Sequence, residues 1–415
     1  MDSMAGSIGT LRSQPPAGHP QALLPHAAPY LRARLRADAL MWTLLAVAAG
    51  LWLVGWIFYG PTVLVLGIAG LAVAAATEWL CILTTHRYST SSLAHSLAMG
   101  MISVLMLPAG PTGYAGLAAV AIAAVAAVGI GKWLMGGLGH YPWHPSLVGL
   151  VTLYMLWPSA VVPQRWPLLS RQHVLFGGGL DLAPLQPVPV VLDWLRAVPA
   201  GRAVGFALPR TETILRRAAT QADAGGEGSG SASRQATGHA GVPTGPLATA
   251  VRDLLPGSWD MLIGATAAPV GQGSSLALIA AGLVLIWRGY LRWALPLAVM
   301  SGAFVAAAIL PAGEAGWLPV RYVVDDQPVG LIWAGYHLLL GSTLFAAVIL
   351  AGETVTSPLT NRGQVMYGLA VGVLTVALRW GPTAPLSACW AVLAMNTLVP
   401  VVDRFDRRWR RLHGG

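Results

Sequence analysis

The sequence predicts an all-α integral membrane protein with about ten transmembrane helices in two pseudo-symmetric halves. Of its 415 residues, 55% are apolar and only 10% are charged, whereas roughly a quarter of the residues in a soluble domain are charged. The apolar residues form runs of about 20, the length of a helix that crosses the bilayer core. Basic residues collect at the ends of these runs, which is typical of multi-pass membrane proteins.

The apolar runs and the polar stretches between them divide the chain into five regions. They are an N-terminal tail (1–38), a first transmembrane half (39–163), an extracytoplasmic loop (164–256) that contains a flexible Gly- and Ser-rich linker (219–245), a second transmembrane half (257–403) and a basic tail (404–415). The predicted spans are 40–59, 61–83, 93–109, 115–135 and 146–163 in the first half, and 274–288, 292–311, 329–350, 364–379 and 384–402 in the second.

The arginines and lysines predict how these spans are oriented. An even number of spans places both termini on one side of the membrane, and the basic residues at the span ends then fall on that side, with Arg379 as the exception. By the positive-inside rule this side is the cytoplasm. The formal charge of +9 is thereby explained by membrane orientation, and we expect no nucleic-acid partner.

Residues 131–150, GKWLMGGLGHYPWHPSLVGL, join the fourth and fifth spans and have an unusual composition. Gly136, Gly137 and Gly139 allow positive φ angles, and two prolines prevent a regular helix. At membrane depth such a backbone is tolerated only where it is buried in protein or lines a cavity. The sequence therefore predicts a binding site at this stretch.

A second stretch interrupted by Gly and Pro, residues 264–275, lies in the other half. Paired broken segments of this kind indicate a binding site near the interface between two repeats. Close packing of Gly-rich helices is the alternative interpretation, and the pattern alone gives the two about equal weight.

Several ionisable residues within apolar runs have two interpretations each. Glu78 either contacts an ion path or snorkels to the membrane interface. His95 and His337 are either functional or neutral and hydrogen-bonded to a neighbouring helix. His140 and His144 have the spacing of a helical metal pair, but the prolines argue against a helix there, and we expect no metal site.

Four stretches, in order along the chain, carry a resemblance to one family. They are GKWLMGGLGHYPWHPSLVG (131–149), DMLIGATAAPVGQGSSLALIAAGLVLIWRGYLRWALP (260–296), ETVTSPLTNRGQVMYG (353–368) and AVLAMNTLVPVVDRF (391–405). With these motifs the chain resembles RnfD, a membrane subunit of Rnf electron-transport complexes, and its relative NqrB of the sodium-pumping quinone reductase. The resemblance covers nearly the whole chain after residue 25.

This resemblance implies a subunit of an ion-translocating oxidoreductase in the bacterial cytoplasmic (inner) membrane, with both termini in the cytoplasm. Such complexes pass electrons between ferredoxin or NADH and an acceptor and couple this to movement of Na⁺ or H⁺. The implied cofactor is FMN or riboflavin. The implied partners are the other subunits of the complex and membrane lipid, with quinone as a candidate electron acceptor.

The resemblance also implies where the flavin would lie. The implied binding residues are Gly136, Gly137, Gly139, Tyr141 and His144, faced from the second half by Gln272, Ser274 and Ser275. Thr244 is the nearest hydroxyl to the family's site of covalent FMN attachment, although Gly245 falls on the position of the family's Thr.

This chain departs from the family pattern at several of these positions. Tyr141 and His144 stand where the family has Asn, Gln272 stands where it has Glu, and Glu353 stands where it has Asp. These departures leave open an alternative function, a flavin-free membrane scaffold or transport subunit built on the same fold.

Overall fold

The structure is a computed structural model that describes residues 37–86, 88–108, 113–161, 262–263, 268–310, 329–339, 341–379 and 386–412. The regular elements within these ranges are all helical, as the sequence predicts. The outer loop 164–256, with its linker and Thr244, lies outside the described residues, and so does most of the N-terminal tail.

The described helices fall where the sequence predicts spans. The first half contains α1 (Ala37–Tyr59), α2 (Thr62–Thr85), α3 (Thr90–Leu105), α4 (Gly113–Val125), which continues as a first π-helical segment (Ala126–Leu134), and α5 (Pro145–Leu156). The second half contains α6 (Ser275–Trp287), α7 (Ala294–Ile309), α8 (Val329–Leu339), α9 (Gly341–Phe345), which continues as a second π-helical segment (Ala346–Leu350), α10 (Asn361–Leu378) and α11 (Ser387–Leu412). Helix α11 runs on through most of the predicted basic tail.

Helix length separates two kinds of membrane helix among the described residues. Four helices are long and apolar enough to cross a membrane, namely α1, α2, α4 with its π-helical segment, and α11, and the bent pair α8–α9 would make a fifth. Helices α3, α5, α6 and α7 are apolar but have only 12 to 16 residues. At 1.5 Å per residue these span roughly 18–24 Å, which is less than the roughly 30 Å of a hydrocarbon core.

The bend between α8 and α9 measures 46°, and the start of α6 packs against it. The backbone carbonyl of Gln272 comes so close to Gly341 that a Cβ at this glycine would overlap the oxygen. The Ser275 hydroxyl donates a hydrogen bond to the carbonyl of Leu339 at 2.5 Å. A broken helix leaves carbonyls without helical donors, and Ser275 supplies one such donor.

One hydrophobic core is shared by both halves of the chain. Its fully buried members come from α1, α3, α5, α9 and α10, for example Leu44, Leu105, Leu147, Phe345 and Tyr367. The two halves are therefore packed together rather than placed side by side as separate domains.

Backbone hydrogen bonds also join the halves at the end of α3. The amide of Gly271 donates to the carbonyl of Leu105 at 2.9 Å, and that of Val270 donates to Leu107 at 3.0 Å. The stretch before α6 thus continues the end of α3 as a short extended pairing, which positions residues 270–275 relative to the first half.

Candidate functional site

The glycine-rich stretch forms an irregular loop between the first π-helical segment and α5. Gly136, Gly137 and Gly139 have φ angles of 114°, 92° and 89°, a region that side-chain-bearing residues rarely adopt. The amides of Gly136 and Gly137 donate to the carbonyls of Trp133 (3.1 Å) and Lys132 (3.0 Å), which ends the helical segment. The backbone conformation predicted for these three glycines is confirmed.

The loop is held close to α5 at both of its ends. A Cβ on Gly131 would lie 2.8 Å from the Cα of Pro145, so only glycine allows this approach without a shift. Pro145 is the first residue of α5, where its missing amide and fixed φ are favourable. The rigid connection turns Tyr141 and His144 inward, and their side chains are 2% and 0% exposed.

Tyr141 reaches a buried carboxylate from the second half. Its hydroxyl donates to Oε1 of Glu353 at 3.0 Å and lies 2.8 Å from Nε2 of His95. Tyr290 donates to the other carboxylate oxygen of Glu353 at 2.8 Å. We call Glu353, Tyr141, Tyr290 and His95 the Glu353 cluster.

The Glu353 cluster combines four segments of the chain. His95 lies on α3, Tyr141 on the glycine-rich loop, Tyr290 after α6, and Glu353 in the turn after the second π-helical segment. Glu353 and His95 are 0% exposed. Burial of a carboxyl group is costly unless hydrogen bonds compensate, and the two tyrosines supply these. Each of the four side chains can both hold and release a proton, so the cluster can conduct protons.

A second buried cluster consists of Glu78, Lys132, Ser92, Ser96 and Trp133. Nζ of Lys132 lies 3.0 Å from Oε1 of Glu78, and both side chains are fully buried. The two serine hydroxyls donate to the same carboxylate at 2.6 and 2.7 Å, and the Trp133 indole donates at 2.5 Å. We call this the Glu78 cluster. Its burial excludes the interpretation that Glu78 snorkels to the membrane interface.

His144 is buried without a polar partner for its ring. Neither ring nitrogen has a hydrogen-bond partner among the described residues, and the same holds for Nδ1 of His95. Within these residues no group of three or more His, Cys, Asp or Glu side chains is placed to hold a metal ion. The free nitrogens are therefore available to a small ligand or to water.

Gln272, Ser274 and Ser275 lie elsewhere, around the far end of α3. Gly271 pairs with Leu105, which is ten residues, or roughly 15 Å, along the helix from His95. Ser274 caps α6 by accepting from the amide of Ala277 at 3.2 Å, and Ser275 is bonded to Leu339. Tyr141 and His144 are thus brought together, whereas no contact joins them to these three residues in the described part of the chain.

The two sets differ in how well they fit a flavin. A Cβ at Gly137 or Gly139 would meet nothing within 4 Å, so the backbone there is open to a ligand, and His144 adds two unused nitrogens. The cleft beside Ser274, lined by Leu51 and Val270, encloses about 210 Å³, which is below the 300–1,000 Å³ of typical ligand pockets. The glycine-rich loop is the better candidate, and flavin binding stays a prediction at both places.

Sequence reasoning did not identify Lys132, Tyr290 or Glu353 as site residues. Lys132 carried a usable signal, because a charged residue at the end of an apolar run is expensive unless it has a partner. Tyr290 and Glu353 gave no such signal. Their partner Tyr141 is 212 residues from Glu353 along the chain, and neither periodicity nor spacing predicts that contact.

The helices and the two buried clusters define a multi-pass membrane protein with ionisable groups at the contact between its two halves. The model of the NQR2, RnfD, RnfE family matches residues 25–410, and the chain belongs to this family. The resemblance inferred from the four sequence motifs is confirmed.

Several relatives match over most of their length, and all of them are named as the D-type subunit of an oxidoreductase complex. Those of the ion-translocating oxidoreductase complexes are 28% identical over 91% of this chain and 93% of the relative in Pseudomonas paraeruginosa, and 28% identical over 92% and 93% in Halorhodospira halophila. That of the proton-translocating ferredoxin:NAD(+) oxidoreductase complex of Clostridium ljungdahlii is 24% identical over 92% and 93%.

Proposed function

We propose that this protein is the D-type membrane subunit of an Rnf-type ion-translocating oxidoreductase complex. The observation that carries the proposal is the family match over residues 25–410, together with relatives named as that subunit that align over more than nine tenths of their length. The buried Glu353 and Glu78 clusters support it, because ionisable groups inside a membrane protein characteristically mark ion or proton paths.

The proposal includes ten spans in two pseudo-symmetric halves. Each half has a helix that becomes π-helical and then turns into an irregular loop, at Ala126–Leu134 and at Ala346–Leu350. The two loops meet through the hydrogen bond from Tyr141 to Glu353. Short helices such as α3 and α5 then cross together with the loops that follow them, as the broken helices of transporters do.

The proposal also places the protein in the bacterial inner membrane with both termini in the cytoplasm. Contacts between basic and polar span ends support this orientation. Arg292, before α7, donates to Oδ1 of Asn361 at 2.9 Å at the start of α10. Residues that the positive-inside rule assigns to one side therefore lie together.

We assign flavin binding, as FMN or riboflavin, to the glycine-rich loop. Gly136, Gly137 and Gly139 would allow close approach of the backbone, and His144 would offer a ring nitrogen. A flavin bound there would accept and release electrons one or two at a time, while the protein sets its position and electrostatics. Covalent FMN on Thr244 is the secondary form of this proposal.

The other subunits, membrane lipid and a quinone acceptor complete the proposed environment, with Na⁺ or H⁺ as the coupled ion. The alternative is a flavin-free scaffold or transport subunit. It is favoured by one observation: the hydroxyls of Ser274 and Ser275 are already used to stabilise helix ends, so they offer little to a cofactor.

The proposal is tested by affinity purification of the full chain from membranes of its own host. We expect the other subunits to copurify in fixed ratio, and the purified assembly to catalyse electron transfer from reduced ferredoxin or NADH. Purification of the chain alone, from membranes in which gene deletion leaves that electron transfer unchanged, would contradict the assignment.

A further inference from the structure

The Glu353 cluster is a continuous hydrogen-bonded chain of exchangeable protons. Tyr290 and Tyr141 both contact Glu353, at 2.8 and 3.0 Å, and Tyr141 contacts His95 at 2.8 Å. All of these distances lie within the usual range for hydrogen bonds. The chain joins the two halves of the molecule at the point where their irregular loops meet.

We propose that Glu353, Tyr141 and His95 form a proton relay, and that the ion coupled by this protein is H⁺. This inference rests on the proposed function, because it names the coupled ion of that function. It depends on Tyr141, whose hydroxyl is the single bridge between Glu353 and His95 among the described residues.

The direction of the hydrogen bonds defines the resting state of the relay. Tyr141 has one hydroxyl proton, which it donates to Oε1 of Glu353. The tyrosine oxygen can then only accept at its contact with His95, so Nε2 of His95 carries a proton and Nδ1 does not. The bare Nδ1 is buried and has no partner among the described residues, which leaves it free to exchange a proton with water.

Arrival of a proton on Glu353 reverses these bonds. The Glu353 hydroxyl now donates to Tyr141, the Tyr141 hydroxyl turns toward Nε2 of His95, and His95 carries its proton on Nδ1. All three groups are neutral in this loaded state. The added proton comes from water on the side of Tyr290, the other residue bonded to the carboxyl group.

Transfer then returns the relay to its resting state. The O–H bond of Glu353 breaks as a new O–H bond forms on Tyr141, and the former O–H bond of Tyr141 breaks as an N–H bond forms at Nε2 of His95. Glu353 is then a carboxylate and His95 an imidazolium. Release of the Nδ1 proton to water leaves neutral His95 with its proton on Nε2, and one proton has moved from Glu353 to beyond His95.

Few other ionisable groups face the relay. Glu353 is faced by Tyr141, Tyr290 and His95. His95 interacts electrostatically with Lys132 and His144, of which Lys132 is already paired with Glu78. His95 lies on α3 between Ser92 and Ser96, which belong to the Glu78 cluster. The relay therefore ends beside a second buried polar cluster.

The first test uses the full chain in lipid nanodiscs and does not require electron transfer. ¹⁵N NMR of labelled histidine distinguishes the two neutral tautomers, and His95 is identified by comparison with His95→Gln. We expect the His95 tautomer to change from Nε2–H to Nδ1–H as Glu353 becomes protonated, with Glu353 followed by the infrared band of its carboxyl group. In Tyr141→Phe the two events should be uncoupled. A His95 tautomer that does not change with Glu353 protonation in the unaltered protein would overturn the relay.

The second test uses the purified complete complex in proteoliposomes, with a pH-sensitive dye inside and with sodium-free buffer. Loss of one relaying group should slow proton movement at least about ten-fold in Tyr141→Phe, and also in Tyr141→Asn, whose amide bonds hydrogen but does not pass protons on. Tyr367→Phe is the matched control, because it removes another buried hydroxyl, one bonded to Asn396 at 2.6 Å.

The outcomes separate the relay from the proposed function. Turnover that pumps Na⁺ but not H⁺, or unchanged proton movement in Tyr141→Phe, would overturn the relay while the redox function stands. Absence of driven electron transfer in the unaltered complex would contradict the proposed function, and the histidine tautomers would still decide whether the relay exists.

Discussion

The ammonium group of Lys132 lies 3.0 Å from a carboxylate oxygen of Glu78, and neither side chain is exposed. Lys132 also donates to the carbonyl of Ser92 at 2.8 Å and to the hydroxyl of Ser96 at 2.6 Å. The pair ties the end of the first π-helical segment to α2 and α3. It belongs to the first half alone, unlike the Glu353 cluster.

Removing one member of this pair should destabilise the protein strongly. In Lys132→Met the Glu78 carboxylate is left buried without its counter-ion, and we expect a loss of about 3–5 kcal/mol. Resistance to unfolding of the purified protein in detergent measures it. The double variant Glu78→Leu with Lys132→Met should recover much of that loss, and Arg288→Met, at an exposed cation, should change little. Equal losses in the single and double variants would show that the charge pair is not the cause.

Alanine at Gly137 should destabilise the loop through its backbone alone. The residue has a φ of 92° and an added Cβ would meet nothing within 4 Å, so the cost is that of the left-handed conformation, about 1–2 kcal/mol. Gly50→Ala is the matched control. It lies in the middle of α1 with equally open space around it, and alanine there should stabilise by about 0.5–1 kcal/mol. The same unfolding measurement checks both signs, and a stabilising Gly137→Ala would contradict the loop conformation.

Arg379 should be irreplaceable by lysine. Its guanidinium lies 2.5 Å from Nδ1 of His337, donates to the His337 carbonyl at 3.2 Å and also contacts Thr343, all at the bend between α8 and α9. Lysine cannot reproduce this planar set of donors, and lost hydrogen bonds from a charged group cost about 1.5–3 kcal/mol.

Thermal unfolding of Arg379→Lys, compared with Arg362→Lys at an exposed arginine, measures that loss. Equal stability of the two variants would show that Arg379 does not hold the bend.

Single cysteines should report the orientation of the membrane helices. Both native cysteines, Cys81 and Cys389, are first replaced by alanine. A cysteine at exposed Tyr114, at the start of α4, should react with a membrane-impermeant thiol reagent added outside intact cells. One at exposed Leu359, before α10, should react only after the membrane is opened. The reverse pattern would place the termini outside the cytoplasm.

The sequence predicted the positions of the helices well because apolar runs are local features. It could not show where a helix within an apolar run ends. Residues 329–350 read as one span but contain the bend at Leu339–Gly341, which depends on the close approach of Gln272. Arg379 was similarly at odds with the charge pattern, and its contact with His337 accounts for its place in the fold.

The candidate site was predicted in part. Glycines with positive φ and a helix that starts at a proline are encoded locally, and both are present around Tyr141. The contacts of Tyr141 with His95 and Glu353 span 46 and 212 residues, and no local pattern encodes such contacts. The expected grouping of Tyr141 with Gln272 and Ser274 depended on the same kind of long-range information.

Flavin content is the measurement that tests the central claim of a redox subunit most directly. The native complex is purified with flavin available, its flavin fluorescence is recorded, and the chain is then denatured and the mass of its 241–252 peptide determined. The account predicts flavin that is released on denaturation and that is lost in Gly137→Val and His144→Ala. An FMN-sized mass on Thr244 would instead move the cofactor to the outer loop. Native protein without any flavin would contradict the redox assignment and favour the scaffold or transport alternative.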